Sequence, residues 1–323
     1  MEYNVIGKTG IQVSSLCFGT MSFGGVADEE TSIAMFNRCR EVGINFFDTA
    51  NVYSKGKSEE ILGKCMQGIR DELVLTTKVH GKMGNDVNDR GLSRRHIMHE
   101  VENSLQRLGT DRIEFYFVHQ FDSLTAIEET LRAMDDLQKQ GKILYPAVSN
   151  WAAWQIAKAL GISERESLAR FELIQPMYNL VKRQAEVEIL PLAESENMGV
   201  IPYSPLGGGL LTGKYSGPSK PNEGRLVEQE NYSKRYEEKI YFETADRFSK
   251  YAKDHGYHPA TLAVAWVKSH PAITAPIIGS RNLEQLEPSL AALDIKMDEE
   301  WRQTISALSV APPPATDRSE VTN

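Results

Sequence analysis

The chain has 323 residues, 41% of them hydrophobic and 25% charged, with a formal net charge of −8. That is the balance of an ordinary soluble globular protein, long enough for one large α/β barrel or two average domains. The acidic excess and the lack of any Lys/Arg run argue against a nucleic-acid partner.

Three cysteines, Cys17, Cys39 and Cys65, form no C-x-x-C and are expected as buried or partly buried thiols of a reducing compartment. No basic-then-apolar leader and no run of 18 apolar residues occurs, so the expected location is cytoplasmic, with no membrane partner. Residues 3–8 and 11–19 read as extended runs around a hairpin-like turn at Lys8-Thr9-Gly10. From Ser14 onward the pattern alternates. Strands are expected at 14–19, 46–50, 73–79, 113–119, 143–150, 171–176, 199–204 and 273–278. Helices are expected between them at 29–42, 58–66, 93–108, 126–140, 152–160, 185–197, 259–269 and 283–293, with Ser58 and Ser93 as caps and Gly141 as a stop. The strands are short and almost wholly apolar, as parallel strands buried on both faces are.

Eight β-then-α units predict an α/β fold, a (β/α)8 TIM barrel with an N-terminal β-hairpin and extra helices and loops at the barrel mouth. An open doubly wound sheet is the alternative, weakened because no G-x-G-x-x-G follows a strand. Residues 208–258 read as a loop with helical content over the mouth, including a helix at 236–255. Residues 1–310 are expected as a single domain, and 311–323, with Pro312-Pro313-Pro314, as a flexible tail.

In such a barrel the chemistry lies at the carboxyl ends of the strands. There the sequence places Asp48 with Tyr53 on the following loop, then Lys78, His119, Ser149-Asn150, Gln175, Tyr203-Ser204 and Gly279-Ser280-Arg281. Each has a plainer reading alone: a helix cap for Asp48, packing for Tyr53, a snorkelling Lys78, a hydrogen-bonded core His119. Together at one rim they suit proton delivery to an alkoxide forming from a carbonyl. A tyrosine holds its proton up to about pH 10, a nearby ammonium lowers that value, and a buried ammonium needs a counter-charge. Asp48 supplies the charge, and a neutral His119 orients the carbonyl oxygen. The hydride must come from a cofactor.

Ordered motifs along nearly the whole chain carry a resemblance: Gly7-Lys8-Thr9-Gly10, Phe18-Gly19-Thr20-Met21, Phe47-Asp48-Thr49-Ala50-x-x-Tyr53, Thr77-Lys78, Val118-His119, Val148-Ser149-Asn150, Gln175-Pro176-x-Tyr178-Asn179 and Tyr203-Ser204-Pro205-Leu206. The chain resembles the aldo-keto reductase family. The resemblance implies a (β/α)8 barrel that binds extended NADPH without a Rossmann motif. It implies Tyr53 as general acid/base, Lys78 lowering its pKa, Asp48 paired with Lys78, and His119 orienting the substrate. It also implies cofactor contacts. Ser149, Asn150 and Gln175 match the carboxamide side chains and Tyr203 the stacked aromatic. Gly19, Thr20 and Met21, with Asp48, match the nicotinamide-ribose side. Ser204, Pro205, Leu206, Gly208, Leu210 and Lys214 match the segment over the pyrophosphate, and Gly279, Ser280, Arg281, Gln285 and Ser289 the adenosine-phosphate end. An arginine at position 281 suits a bidentate grip on a 2′-phosphate, favouring NADPH/NADP+ over NADH. The eighth unit departs from the family pattern at two residues: Pro288 stands where an acidic residue usually meets adenine, and Ser289 where asparagine is common. A nicotinamide-binding sensor or regulatory subunit, as in potassium-channel β subunits, is the alternative function. The complete tetrad favours the enzyme.

Gly208–Lys214 has P-loop spacing, but Tyr215 replaces the magnesium-binding Ser/Thr. His80, His96 and His99 are expected on the surface, because no carboxylate or cysteine set completes a metal site. Substrate contacts are expected from Met21, Tyr53, His119, Gln120, Phe121 and Trp151, plus the stretch around 215–232. Gln120, where many family members have tryptophan, suggests a sugar or hydroxylated carbonyl. No helix face is unusually apolar, so the sequence carries no oligomer signal.

Overall fold

The computed structural model describes residues 1–215 and 224–316. The most distal part of the tail and the middle of the 215–232 stretch lie outside these residues. Strands β1 (Tyr3–Val5) and β2 (Gln12–Ser14) form an antiparallel hairpin with Tyr3 opposite Ser14. Its turn needs glycine. Gly7 has φ +47°, and a Cβ there would meet the Asn197 carbonyl oxygen at 2.6 Å.

Eight parallel strands follow: β3 (Cys17–Gly19), β4 (Phe46–Asp48), β5 (Val74–Val79), β6 (Ile113–Val118), β7 (Ile143–Ser149), β8 (Leu173–Gln175), β9 (Gly199–Val200) and β10 (Ile277–Ile278). They pair in sequence order, with β10 beside β3. The ring closes through backbone N–H groups of Thr274 and Ile277, which donate to the carbonyls of Val200 and Pro202, each at 2.9 Å. This is the expected (β/α)8 barrel with its N-terminal hairpin.

Strand alternation sorts the side chains into two apolar layers. Cys17, Phe46, Val74, Phe115, Phe117, Ala147 and Leu173 fill the barrel interior, and Ile6 and Val13 of the hairpin region pack with them. Phe18, Phe47, Leu75, Tyr116, Val118, Val148 and Ile174 face the helices. This parity matters for the site. Asp48 follows two residues after interior Phe46, and Lys78 four residues after interior Val74, so both carry their charges into the lumen at the same end. Thr77, between Thr76 and Lys78, points outward.

The outer layer comprises α1 (Glu29–Glu41), α2 (Lys57–Cys65), α3 (Arg94–Leu108), α4 (Ile127–Lys139), α5 (Ala153–Glu166), α6 (Ile189–Glu196), α7 (Arg225–Glu228), α8 (Glu230–Arg235), α9 (Lys239–Asp254), α10 (Pro259–Lys268), α11 (Leu283–Leu290) and α12 (Glu299–Ser306). Ser93 caps α3 as expected, accepting from the His96 N–H. Ser58 does not cap α2. Gly56 holds the cap position, while the Ser58 hydroxyl is buried and donates to the Thr20 carbonyl at 2.8 Å. The helix expected over 185–197 is a 3₁₀ turn at Gln184–Glu186 followed by α6, whose Pro191 lies in the first turn, where a missing N–H is harmless. The helix expected over 236–255 is α9. Helices α7 and α8 lie within the 208–258 stretch expected to carry helical content, whereas α12 was not anticipated. Helix α12 is capped by Asp298, and its Ser306 hydroxyl accepts from Trp266 Nε1 of α10 at 2.9 Å.

Cys17 and Cys39 are buried and Cys65 is half-buried, and all three are free thiols. Among the described residues, no helix is long and apolar enough to cross a membrane.

Candidate active site

At the carboxyl end of the barrel, Asp48 is the hub of a buried network. Its carboxylate accepts from Lys78 Nζ at 2.8 and 2.7 Å, from Thr76 Oγ1 at 2.6 Å and from Gln175 Nε2 at 2.9 Å. Lys78 is fully buried and gives its remaining N–H to the Thr49 carbonyl at 2.6 Å. All three ammonium donors are therefore satisfied, as a buried cation requires. Burial pulls the Lys78 pKa down, and the Asp48 charge and hydrogen bonds resist the fall. Asp48 therefore anchors Lys78 and caps no helix. Thr76 escaped the sequence reading. Its signal was its register opposite Asp48 on the neighbouring strand.

Tyr53 stands on the loop after β4, with Lys78 Nζ 5.1 Å from its ring centroid and the His119 ring edge-on at 5.9 Å. Burial, then the Asp48 charge and Tyr232, raise the Tyr53 phenol pKa well above the ordinary value, opposed by Arg225, so the phenol holds its proton at neutral pH. Burial, Lys78 and His80 push the His119 pKa down to about 3, so its imidazole is neutral at physiological pH.

Asn150, in left-handed conformation at φ +57°, donates through Nδ2 to the His119 carbonyl at 2.9 Å and accepts from the Tyr203 hydroxyl at 2.7 Å. Ser149 supports it from behind, donating to the Gln175 carbonyl at 2.9 Å. These bonds join the ends of β6, β7 and β8 to the aromatic ring of Tyr203.

A cleft of about 740 Å³ runs outward from this floor. Of the expected cofactor positions, Gly19, Met21, Asp48, Asn150, Gln175, Tyr203, Ser204, Pro205, Leu206, Gly208, Lys214, Gly279, Ser280, Arg281 and Gln285 line it. Thr20, Ser149, Leu210 and Ser289 sit behind its wall as buried residues. Gly207, Gly208 and Gly209 all have positive φ, a bend only glycine makes cheaply. Side chains would crowd it: a Cβ on Gly208 would meet Tyr232 at 3.1 Å. At the far end Arg281 and Glu228 form an ion pair, with N–O distances of 2.6 and 3.3 Å, that links α7 to the loop before α11. That pairing holds the Glu228 pKa at about 2.

Of the expected substrate contacts, Met21, Tyr53, His119 and Gln120 line the cleft. Phe121 and Trp151 do not. They pack edge-to-face at 5.0 Å, and Trp151 packs in turn on Phe171 at 5.5 Å. Arg225 and Arg235 were missed as individual residues. Both line the cleft, with guanidinium groups 5.1 and 4.7 Å from the Tyr232 ring. Their sequence signal was only the charge density of the long 208–258 stretch. His96 corrects the surface expectation, being buried with its Nε2 unpartnered among the described residues, whereas His99 is exposed. Among the described residues no cluster of three potential metal ligands occurs.

The aldo/keto reductase family model matches residues 15–309. An "Uncharacterized oxidoreductase YrpG" of Bacillus subtilis (strain 168) is 38% identical, over 97% of each chain. The "Aldo-keto reductase YhdN" of the same organism is 36% identical, over 89% of this chain and 87% of the relative. A "Probable voltage-gated potassium channel subunit beta" of Oryza sativa subsp. japonica is 35% identical, over 91% of this chain and 92% of the relative.

Proposed function

The chain belongs to the aldo/keto reductase family, and from that premise we propose that it is an NADP(H)-dependent oxidoreductase interconverting aldehydes, ketones or sugars with their alcohols. The observation that carries the reading is the convergence of Asp48, Tyr53 and His119 on the floor of one cleft, with Lys78 buried against Asp48 and near Tyr53.

The residues lining the cleft fit a nicotinamide dinucleotide. The glycine bend at 207–209 leaves backbone exposed where side chains would block it. Lys214 and Arg281 bring cationic groups to the distal part, suited to phosphates. Asn150, Gln175 and the flat ring of Tyr203 lie near the catalytic floor, suited to the carboxamide and the nicotinamide face. When bound, the cofactor supplies or accepts the hydride.

The protein's own part is proton handling. His119, neutral, offers a ring N–H to the carbonyl oxygen without adding charge. Tyr53, firmly protonated, donates its proton to that oxygen as negative charge develops on it, and retrieves it in the reverse direction. The Lys78 ammonium, held in place by Asp48, lies near enough to favour the transient phenolate. Gln120, exposed at the mouth, favours polar, hydroxyl-bearing substrates. In this reading the partner is a small molecule and the setting cytoplasmic.

The likeness to a potassium-channel β subunit favours a second reading, a nicotinamide-binding sensor with little turnover. NADPH oxidation followed with a panel of aldehydes, ketones and sugars separates the two. Turnover on one class supports the enzyme. Tight NADPH binding with no turnover on any supports the sensor.

A further inference from the structure

We infer that a buried charge cluster outside the barrel, built from Glu59 of α2 with Glu100 and Arg107 of α3, acts as the positioning device for Tyr53; this rests on the catalytic reading above. The loop that carries Tyr53 is held at both of its ends by this cluster. Before Tyr53, the fully buried Asn51 donates through Nδ2 to Glu100 Oε2 at 2.8 Å. The other Glu100 oxygen accepts from Asn103 at 2.7 Å, so both carboxylate oxygens are engaged. After Tyr53, Ser54, Lys55 and Gly56 run through three consecutive left-handed conformations, at φ +48°, +54° and +91°. Two of these are not glycine, and such backbone persists only where its surroundings enforce it. The enforcing contacts are present. Ser54 Oγ donates to the Phe23 carbonyl at 2.9 Å, and Gly56 lies against Arg107, whose Cδ a Cβ would approach to 2.7 Å.

Arg107 is itself fixed from within the cluster. Its Nε donates to Glu59 Oε2 at 2.6 Å, and its Nη2 reaches Glu100 and Ser104 at 3.5 and 3.3 Å. Glu59 then reaches the barrel, accepting from the outward-facing Thr77 hydroxyl at 2.5 Å, next to Lys78. Two almost fully buried carboxylates thus share one guanidinium. For helix packing alone, apolar residues would serve α2 and α3 as well or better. The cluster instead touches the two stretches that bear Tyr53 and Lys78 and ties them to one rigid unit. A misplacement of about 1 Å in a catalytic group costs up to about a hundredfold in rate, which gives such a unit its value.

The test combines kinetics with a reading of Tyr53 itself. In protein labelled with ¹³Cζ-tyrosine, the Tyr53 resonance is assigned by its loss in Tyr53→Phe. Asn51→Ala is expected to move or broaden that resonance and to lower kcat by about 10- to 100-fold, with KM and the NADPH Kd changed less than about twofold. Glu100→Ala should match it, the double variant should be no worse than either single one, and Glu100→Gln, which keeps an acceptor oxygen, should recover most of the rate. An unmoved Tyr53 resonance with kcat within about twofold of the parent overturns the inference, as do additive effects of Asn51→Ala and Glu100→Ala. If Asn51→Ala does not fold, Asn51→Ser carries the same readouts. Should the parent protein reduce no carbonyl at all, the proposed function fails while the resonance still decides whether the cluster positions Tyr53.

Discussion

The two ends of the cleft are built on different physical principles. The inner end is an array of buried charges on barrel strands, where Lys78 and the Asp48 carboxylate satisfy one another and their neighbours without water. The outer end is a glycine bend and a partly exposed Arg281–Glu228 pair on loops and short helices. A buried pair is a fixed electrostatic environment whose disruption strands a charge. An exposed pair is a weak latch that salt and ligands both compete for. On the proposed function, the inner end sets the chemistry and the outer end grips the cofactor.

The strongest attempt to break this contrast is Lys78→Met. It leaves Asp48 buried without its counter-ion and should cost about 3–5 kcal/mol of stability, read by urea unfolding, together with loss of turnover. A variant as stable as the parent would show that Asp48 is not held as a buried charge. At the outer end, Arg281→Ala should weaken NADPH binding by about 10- to 100-fold in a fluorescence titration, with a smaller loss for NADH and little change in stability. Equal losses for both cofactors would remove Arg281 from any 2′-phosphate role. High salt should weaken the grip of the outer end and leave the Asp48–Lys78 pair untouched.

A smaller effect concerns pH. The His119 pKa falls from the ordinary 6.5 to about 3 on folding. Between those values the unfolded chain binds the extra proton. The stability tied to a neutral His119 is therefore complete above pH 6.5 and lost as pH drops toward 3. His80, His96, His258 and His270 are shifted the same way by burial and share the slope. His119→Gln should flatten, without abolishing, the loss of stability between pH 7 and 5 measured by urea unfolding. The smallest change is expected at the exposed i,i+4 pair Lys250–Asp254 on α9, where Lys250→Ala should alter stability by less than about 0.5 kcal/mol.

The contrast also explains what was legible in the sequence. Strand periodicity carried the barrel, and the rule that chemistry gathers at strand ends picked out Asp48, Lys78 and His119, because polar residues closing several neighbouring apolar strands at one rim have no common packing role. The outer end carries no such periodicity. Helices α7 and α8 have one full turn or little more, and the Arg281–Glu228 pair joins residues 53 apart in the chain. Trp151 was misplaced for a related reason. It follows Asn150 at the rim, but its ring turns away from the cleft to pack on Phe121 and Phe171. Ser58 looked like a cap from its place before a helix, yet the left-handed run through Gly56 supplies that start and frees Ser58 to bond Thr20.

Tyr53→Phe tests the central claim most directly, because it removes one hydroxyl and leaves the aromatic ring beside His119 and Lys78. NADPH is expected to bind with nearly unchanged affinity, and carbonyl-dependent NADPH oxidation to fall to background at every pH from 6 to 9. Turnover in Tyr53→Phe within about tenfold of the parent, less than a positioned general acid ordinarily contributes, would contradict that claim.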